Sequence, residues 1–136
     1  MVYEFEVPGK VIGKGRPRLN TYTGIVYTPT KTKDYETLIE QYFLLKYPKF
    51  KILEGRIKVN IVAYFSIPKT TNKTNKKEML DDNISPTKKP DIDNIVKAVL
   101  DSMNKFAFKD DNQITSLEVE KKYSLDDKIY IKIQEY

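Results

Sequence analysis

The stretch KPDIDNIVKAVLDSMNKFAFKDDNQI, residues 89–114, decides how the chain reads. Ile92, Ile95, Val96, Val99, Leu100 and Met103 recur at steps of three and four. That spacing predicts a helix with one face on a core. Burying each of these side chains contributes about 1.5–3 kcal/mol before the entropy cost. The opposite side carries Asn94, Lys97, Asp101 and Lys105, and Asn104 ends the helix. Aspartates stand at both ends: Asp91 and Asp93 before it, Asp110 and Asp111 after the connector Phe106-Ala107-Phe108.

These acids admit two readings. In the first, Asp91 or Asp93 is a helix N-cap, worth about 1 kcal/mol. Asp93 and Lys97 then form an i,i+4 surface pair, and Asp110-Asp111 makes a turn before a strand. In the second, the pairs converge. One cap needs one aspartate, not two, and Pro90 stiffens the approach to the helix. The short connector is expected to fold the second pair back toward the first. Carboxylates so placed repel one another, and a divalent cation relieves that repulsion. Oxygen ligands alone favour Mg²⁺ or Mn²⁺ over zinc. Lys97, one turn beyond Asp93, is then placed to steady a phosphoryl transition state.

The rest of the sequence narrows the choice. The chain has 136 residues, a length that suits one domain. It contains no cysteine and no histidine. Disulfides, thiolate or histidine metal sites, and Ser-His-Asp catalysis are thereby excluded. The net charge of +5 points to an anionic partner, nucleic acid first. No apolar run is long enough to span a membrane. The segment MVYEFEVPGK has neither a basic start nor an apolar signal core, so a cytoplasmic protein is expected.

Outward from the central stretch, Val2–Val7 alternates as a strand. Residues 9–18 form a basic glycine loop holding Lys14, Arg16 and Arg18, and a two-strand excursion follows over 19–28, turning at Thr23-Gly24. A helix is predicted from about Lys31 to Lys46, capped by Thr30 or Thr32. Ile57–Ile67 reads as a central strand, and residues 68–90 as a lysine-rich loop with a short helix near Lys76–Asp81. Ile114–Tyr123 and Lys128–Tyr136 read as two antiparallel strands joined at Leu125-Asp126-Asp127. Tyr3, Tyr35, Tyr42, Tyr64, Tyr123 and Tyr130 are assigned to packing. The element order predicts a single compact α+β domain: a mixed β-sheet with two main helices on one face. Lys14, Arg16, Arg18, Lys76, Lys77, Lys88 and Lys89 are the expected DNA-flanking residues.

With these residues assembled, a resemblance emerges. KKPDIDNIVKAVLDSMN followed by KDDNQI resembles the signature of the RusA family of Holliday-junction resolvases, endonucleases of phages and prophages. Gly15-Arg16-Pro17-Arg18 and Tyr27-Thr28-Pro29 resemble the start of phage-type members, so the likeness spans most of residues 1–136. Ser102 and Met103 depart mildly from the family's small and leucine-like residues, and the 68–90 segment is a longer basic insertion. The resemblance implies that Asp91, Asp93 and Asp111 are metal-binding acids, that Lys97 is catalytic, and that Asp110 is a neighbouring acid of secondary weight. It implies a homodimer that nicks opposed strands of a four-way DNA junction with Mg²⁺ or Mn²⁺ in a bacterial host. Two alternatives stand beside it: a non-catalytic phage DNA-binding accessory protein retaining the fold, and a different Mg²⁺ phosphoesterase.

Overall fold

The computed structural model describes residues 1–136. Strand β1 (Val2–Pro8) leads into the glycine loop and a separate small hairpin of β2 (Arg18–Leu19) and β3 (Val26–Tyr27). Helix α1 (Thr30–Lys46), strand β4 (Ile57–Ser66), short helix α2 (Lys73–Leu80) and helix α3 (Ile92–Met103) follow. A single-turn helix (Asp111–Gln113) opens strand β5 (Ile114–Ser124), and β6 (Lys128–Glu135) closes the sheet. The architecture is α+β, with a mixed four-stranded sheet.

One face of the sheet carries the core. Tyr3, Phe5 and Val7 of β1, the alternate residues of β4 from Ile57 to Phe65, and Ile129, Ile131 and Ile133 of β6 are all buried. The period of two in each strand puts these on a single face. Helices α1 and α3 cover it. Phe43 of α1 sits among the rings of Tyr3, Phe5, Tyr47 and Phe50, at centroid distances of 5.2 to 5.6 Å. Helix α3 buries Ile95, Ala98, Val99, Ser102 and Met103. This stripe is rotated from the expected one: Ile92 is 45% exposed, and Val96 and Leu100 are only partly covered. The small Ala98 and Ser102 are buried with Ile95, Val99 and Met103, and Ser102 Oγ donates to Val99 O at 2.6 Å, satisfying its hydroxyl within the helix. That rotation leaves Asp93, Lys97 and Asp101 as the outermost row of α3.

Two sequence expectations change. Thr32 does not cap α1: Pro29 stands at the cap position, and the buried Thr32 Oγ1 accepts the Gly15 N–H at 2.9 Å. More consequentially, β5 and β6 run in opposite directions but are not neighbours. The strand order is β1-β6-β4-β5, with β4 parallel to β5 and antiparallel to β6. The apolar β4 takes the interior place, where both of its edges are paired, and the link at residues 125–127 steps across its end. Asp127 secures that step. Its carboxylate accepts the Ser66 N–H at 2.8 Å and the Ser66 hydroxyl at 3.2 Å, and its carbonyl accepts the Gly9 N–H at 3.0 Å.

Replacing Asp127 with alanine leaves the Ser66 N–H without its partner. The Asp127→Ala variant is expected to lose about 1–3 kcal/mol. Urea unfolding checks this: the midpoint falls while the slope is unchanged.

Candidate active site

The candidate acids sit along α3 and just beyond it. Asp91 occupies the N-cap position, yet its side chain makes no capping hydrogen bond. Asp93 lies in the first turn and forms no ion pair with Lys97. All three are exposed. The cap-and-pair arrangement that elementary helix chemistry offers these residues is therefore unused, and two carboxylates and one ammonium stand free within about 9 Å of helix rise.

Asp110 and Asp111 divide differently. Asp110 caps the single-turn helix: its carboxylate accepts the Asn112 N–H at 2.9 Å, while Gln113 Oε1 accepts the main-chain N–H of Lys109 and Asp110 at 2.8 and 3.1 Å. The Gln113 amide in turn donates to Leu53 O and Gly55 O at 3.0 and 3.1 Å. Asp111 takes no part in this network. Burial first, then the charges of Asp101 and Asp110, raises its carboxyl above the usual aspartate range.

The expected convergence is therefore incomplete. No three acidic side chains approach closely enough to enclose a metal ion together. The connector does reverse the chain, but Ala107 and Phe108 are fully buried and Leu53 N donates to Ala107 O at 2.7 Å. Asp111 instead feels the charge of Asp101, which lies on α3 eight residues after Asp93. The donor set still fits a hard cation, since Mg²⁺ is ordinarily held by one or two carboxylates, waters and substrate phosphates. Asp91 and Asp93 offer two such oxygens without competing hydrogen bonds.

The sequence reading places Lys14 beside DNA; its ammonium is instead committed inside the protein. It lies 2.6 Å from Glu36 Oε1 and 3.0 Å from Asp101 Oδ2, joining α1 to α3. Burial alone lowers its pKa, but the hydrogen bonds and charges of Glu36 and Asp101 outweigh that and raise it. The same loop packs on the start of α3: Lys14 N donates to Asn94 O at 2.9 Å, and a Cβ on Gly13 would meet Pro90 Cβ at 2.7 Å. Arg16 and Arg18 are exposed and form no ion pair. Lys76 and Lys77 are exposed on α2, which packs near β5. Lys88 lies over the Phe65 ring at 5.7 Å, and Lys89 is exposed in front of Pro90. An open cavity of about 650 Å³ adjoins Asp110, with Arg56, Lys109 and Asn112 among its lining residues.

Comparison with known proteins identifies the lineage. A sequence model of the family Endodeoxyribonuclease RusA matches residues 8–134. The chain belongs to the RusA family. Uncharacterized protein YqaN of Bacillus subtilis (strain 168) is 33% identical over 136 residues, covering 97% of this chain and 95% of its own length. Endonucleolytic cleavage of DNA is the activity of the RusA family. No helix is long and apolar enough to cross a membrane.

Three contributors escaped the sequence reading: Asp101, Glu36 and Gln113. Asp101 had a signal, since it extends the Asp93–Lys97 row by one more step of four. Gln113 had one too, lying three residues after Asp110 as in a capping box. Glu36 had none, because its partner is 22 residues away in sequence.

Two predictions follow from the loop's contacts. Lys14→Ala leaves the half-buried Glu36 facing Asp101 and is expected to cost about 1–3 kcal/mol. Because the folded-state pKa of Lys14 is raised, this contribution is intact at neutral pH. It fades only as pH climbs past the usual lysine value of 10.5. Chemical denaturation at two pH values checks it, and the salt slope of DNA binding is expected to stay unchanged. Gly13→Ala forces a methyl into Pro90 and is expected to destabilise by about 1–3 kcal/mol, read as a fall in Tm.

Proposed function

We propose that the chain is a metal-dependent, structure-specific endodeoxyribonuclease that resolves four-way DNA junctions by paired nicks in opposed strands. The observation that carries this reading is the outer row of α3, where Asp93 and Lys97 stand unpaired one turn apart beside an Asp91 that caps nothing. Family membership supports the DNA-cleaving part of it.

In this reading Asp91 and Asp93 would hold Mg²⁺ or Mn²⁺ together with water and substrate phosphate, with Asp111 as the third acid the family resemblance implies and Asp110 in a supporting place. When bound, such a cation offsets phosphate charge and makes water a stronger nucleophile. The chain's own groups do the rest. The Lys97 ammonium faces the phosphoryl group and stabilises the charge that develops there. Arg16, Arg18, Lys76, Lys77, Lys88 and Lys89 hold the backbone on either side. A homodimer suits the task, because a two-fold assembly matches two opposed strands.

A second reading, a non-catalytic DNA-binding accessory protein, has one observation in its favour: no three acids gather around a common point. Cleavage of a labelled four-way junction separates the two. Wild type is expected to nick opposed strands with Mg²⁺, to stop with EDTA and to resume when Mg²⁺ is restored. Asp91→Asn and Asp111→Asn are expected to bind without cutting. Asp110→Asn, whose amide caps equally well, is expected to retain cleavage. Lys97→Met is expected to slow cleavage about 10²–10³-fold with binding preserved. Binding by wild type without any cleavage would sink the nuclease reading and leave the accessory one.

A further inference from the structure

The basic charge of the chain is concentrated in one place. Residues 8–33 contain Lys10, Lys14, Arg16, Arg18, Lys31 and Lys33 and not a single acid. That stretch carries six positive charges where the whole chain nets +5, so everything outside it sums to one negative charge. With Lys14 paired to Glu36 and Asp101, the other five basic groups still make this stretch one source of attraction for an anionic partner, and it is there that the β2–β3 hairpin projects.

The hairpin is unlike the rest of the surface. Tyr22 at its tip is 98% exposed, and Leu19, Ile25 and Val26 are each more than half exposed. Soluble proteins do not ordinarily leave so many adjoining apolar side chains in water without a use. The pairing sets Arg18 opposite Tyr27 and Leu19 opposite Val26, so the two pairs occupy opposite faces. The tip is already ordered. Asn20 Oδ1 accepts the N–H of Tyr22 and Thr23 at 2.9 and 3.2 Å, and Gly24 N donates to Asn20 O at 2.8 Å. The foot is ordered as well, through Gly13 against Pro90, Lys14 N on Asn94 O, and Gly15 N on Thr32. This foot rests on the first turn of α3, next to Asp91 and Asp93.

We infer that the hairpin is the branch-sensing element: Tyr22 stacks on a base left unstacked where DNA strands diverge, Leu19, Ile25 and Val26 cover the opened step, and Arg16 and Arg18 hold the flanking phosphates. Aromatic stacking beside basic groups is how proteins grip unpaired bases irrespective of sequence, and aliphatic side chains fill separated base steps. An intact linear duplex offers phosphates to the arginines but no free base face to the tyrosine. The inference rests on the nuclease reading for its substrate, but not on cleavage itself.

The test reads binding in EDTA, so a failure of catalysis leaves it intact. The probes are a four-way junction carrying 2-aminopurine beside the branch and a linear duplex of matched sequence. Tyr22→Ala is expected to lower junction affinity about tenfold, to leave duplex affinity unchanged and to remove the 2-aminopurine response. Tyr22→Phe is expected to behave as wild type. Arg16→Ala with Arg18→Ala is expected to weaken both probes and to reduce the salt slope by about two. Tyr22 touches no core residue, and an unchanged thermal melt of Tyr22→Ala would show that its fold is kept. Equal junction affinity for Tyr22→Ala and wild type would overturn the inference. So would a change in sedimenting mass for Tyr22→Ala, which would make the hairpin a contact between copies of the chain.

Discussion

Strand β4 is bonded along both edges, to β5 on one side and β6 on the other, and the remaining elements are arranged around that fact. Because β4 runs parallel to β5, the chain cannot turn directly from one into the other. It must leave the sheet, travel its length and return. Helix α3 is the covering part of that return path, so the parallel pairing is what brings Asp91, Asp93 and Lys97 onto the sheet's covered side with their row facing outward. The antiparallel partner β6 imposes the second condition, a short step over the end of β4, and Asp127 satisfies it with a single side chain.

The candidate site combines groups whose hydrogen bonds are spent with groups left free. Asp110, Gln113, Lys14, Glu36 and Asp101 are bound to one another or to main chain, and they fix the loops around α3. Asp91, Asp93 and Lys97 have no such partners. All three are exposed, so water satisfies them in the free protein, and in the proposed reading a metal ion and a phosphate take the place of that water. Charge follows a similar division, with the positive excess on the loop and hairpin and the acids along α3 beside them.

Much of this was legible in the sequence. The α3 periodicity, the strands at residues 2–7 and 57–67, and the two-strand excursion were visible because each side-chain pattern reports which face of an element is buried. Alternation does not report which strand is a strand's neighbour. Residues 114–123 and 128–136 therefore read as two joined antiparallel strands, although β4 separates them. The acids were identifiable by type and spacing, but their distances depend on how deeply Ala107 and Phe108 are buried, and that is a property of the core. Lys14 was misplaced for a related reason: a lysine in a glycine loop resembles a phosphate ligand until the carboxylates of two distant helices close on it.

The crossover between β4 and β5 contains residues 68–90, with α2 in their midst, and none of them belongs to a sheet ladder. Lengthening a flexible connection costs little, about 0.6 kcal/mol for each doubling. The sheet and the α3 row thus impose almost no limit on how long this segment is. Descendants of the same fold are free to lengthen it ahead of α2, at residues 68–72, where an inserted reporter or affinity tag leaves Lys76, Lys77, Lys88 and Lys89 in place.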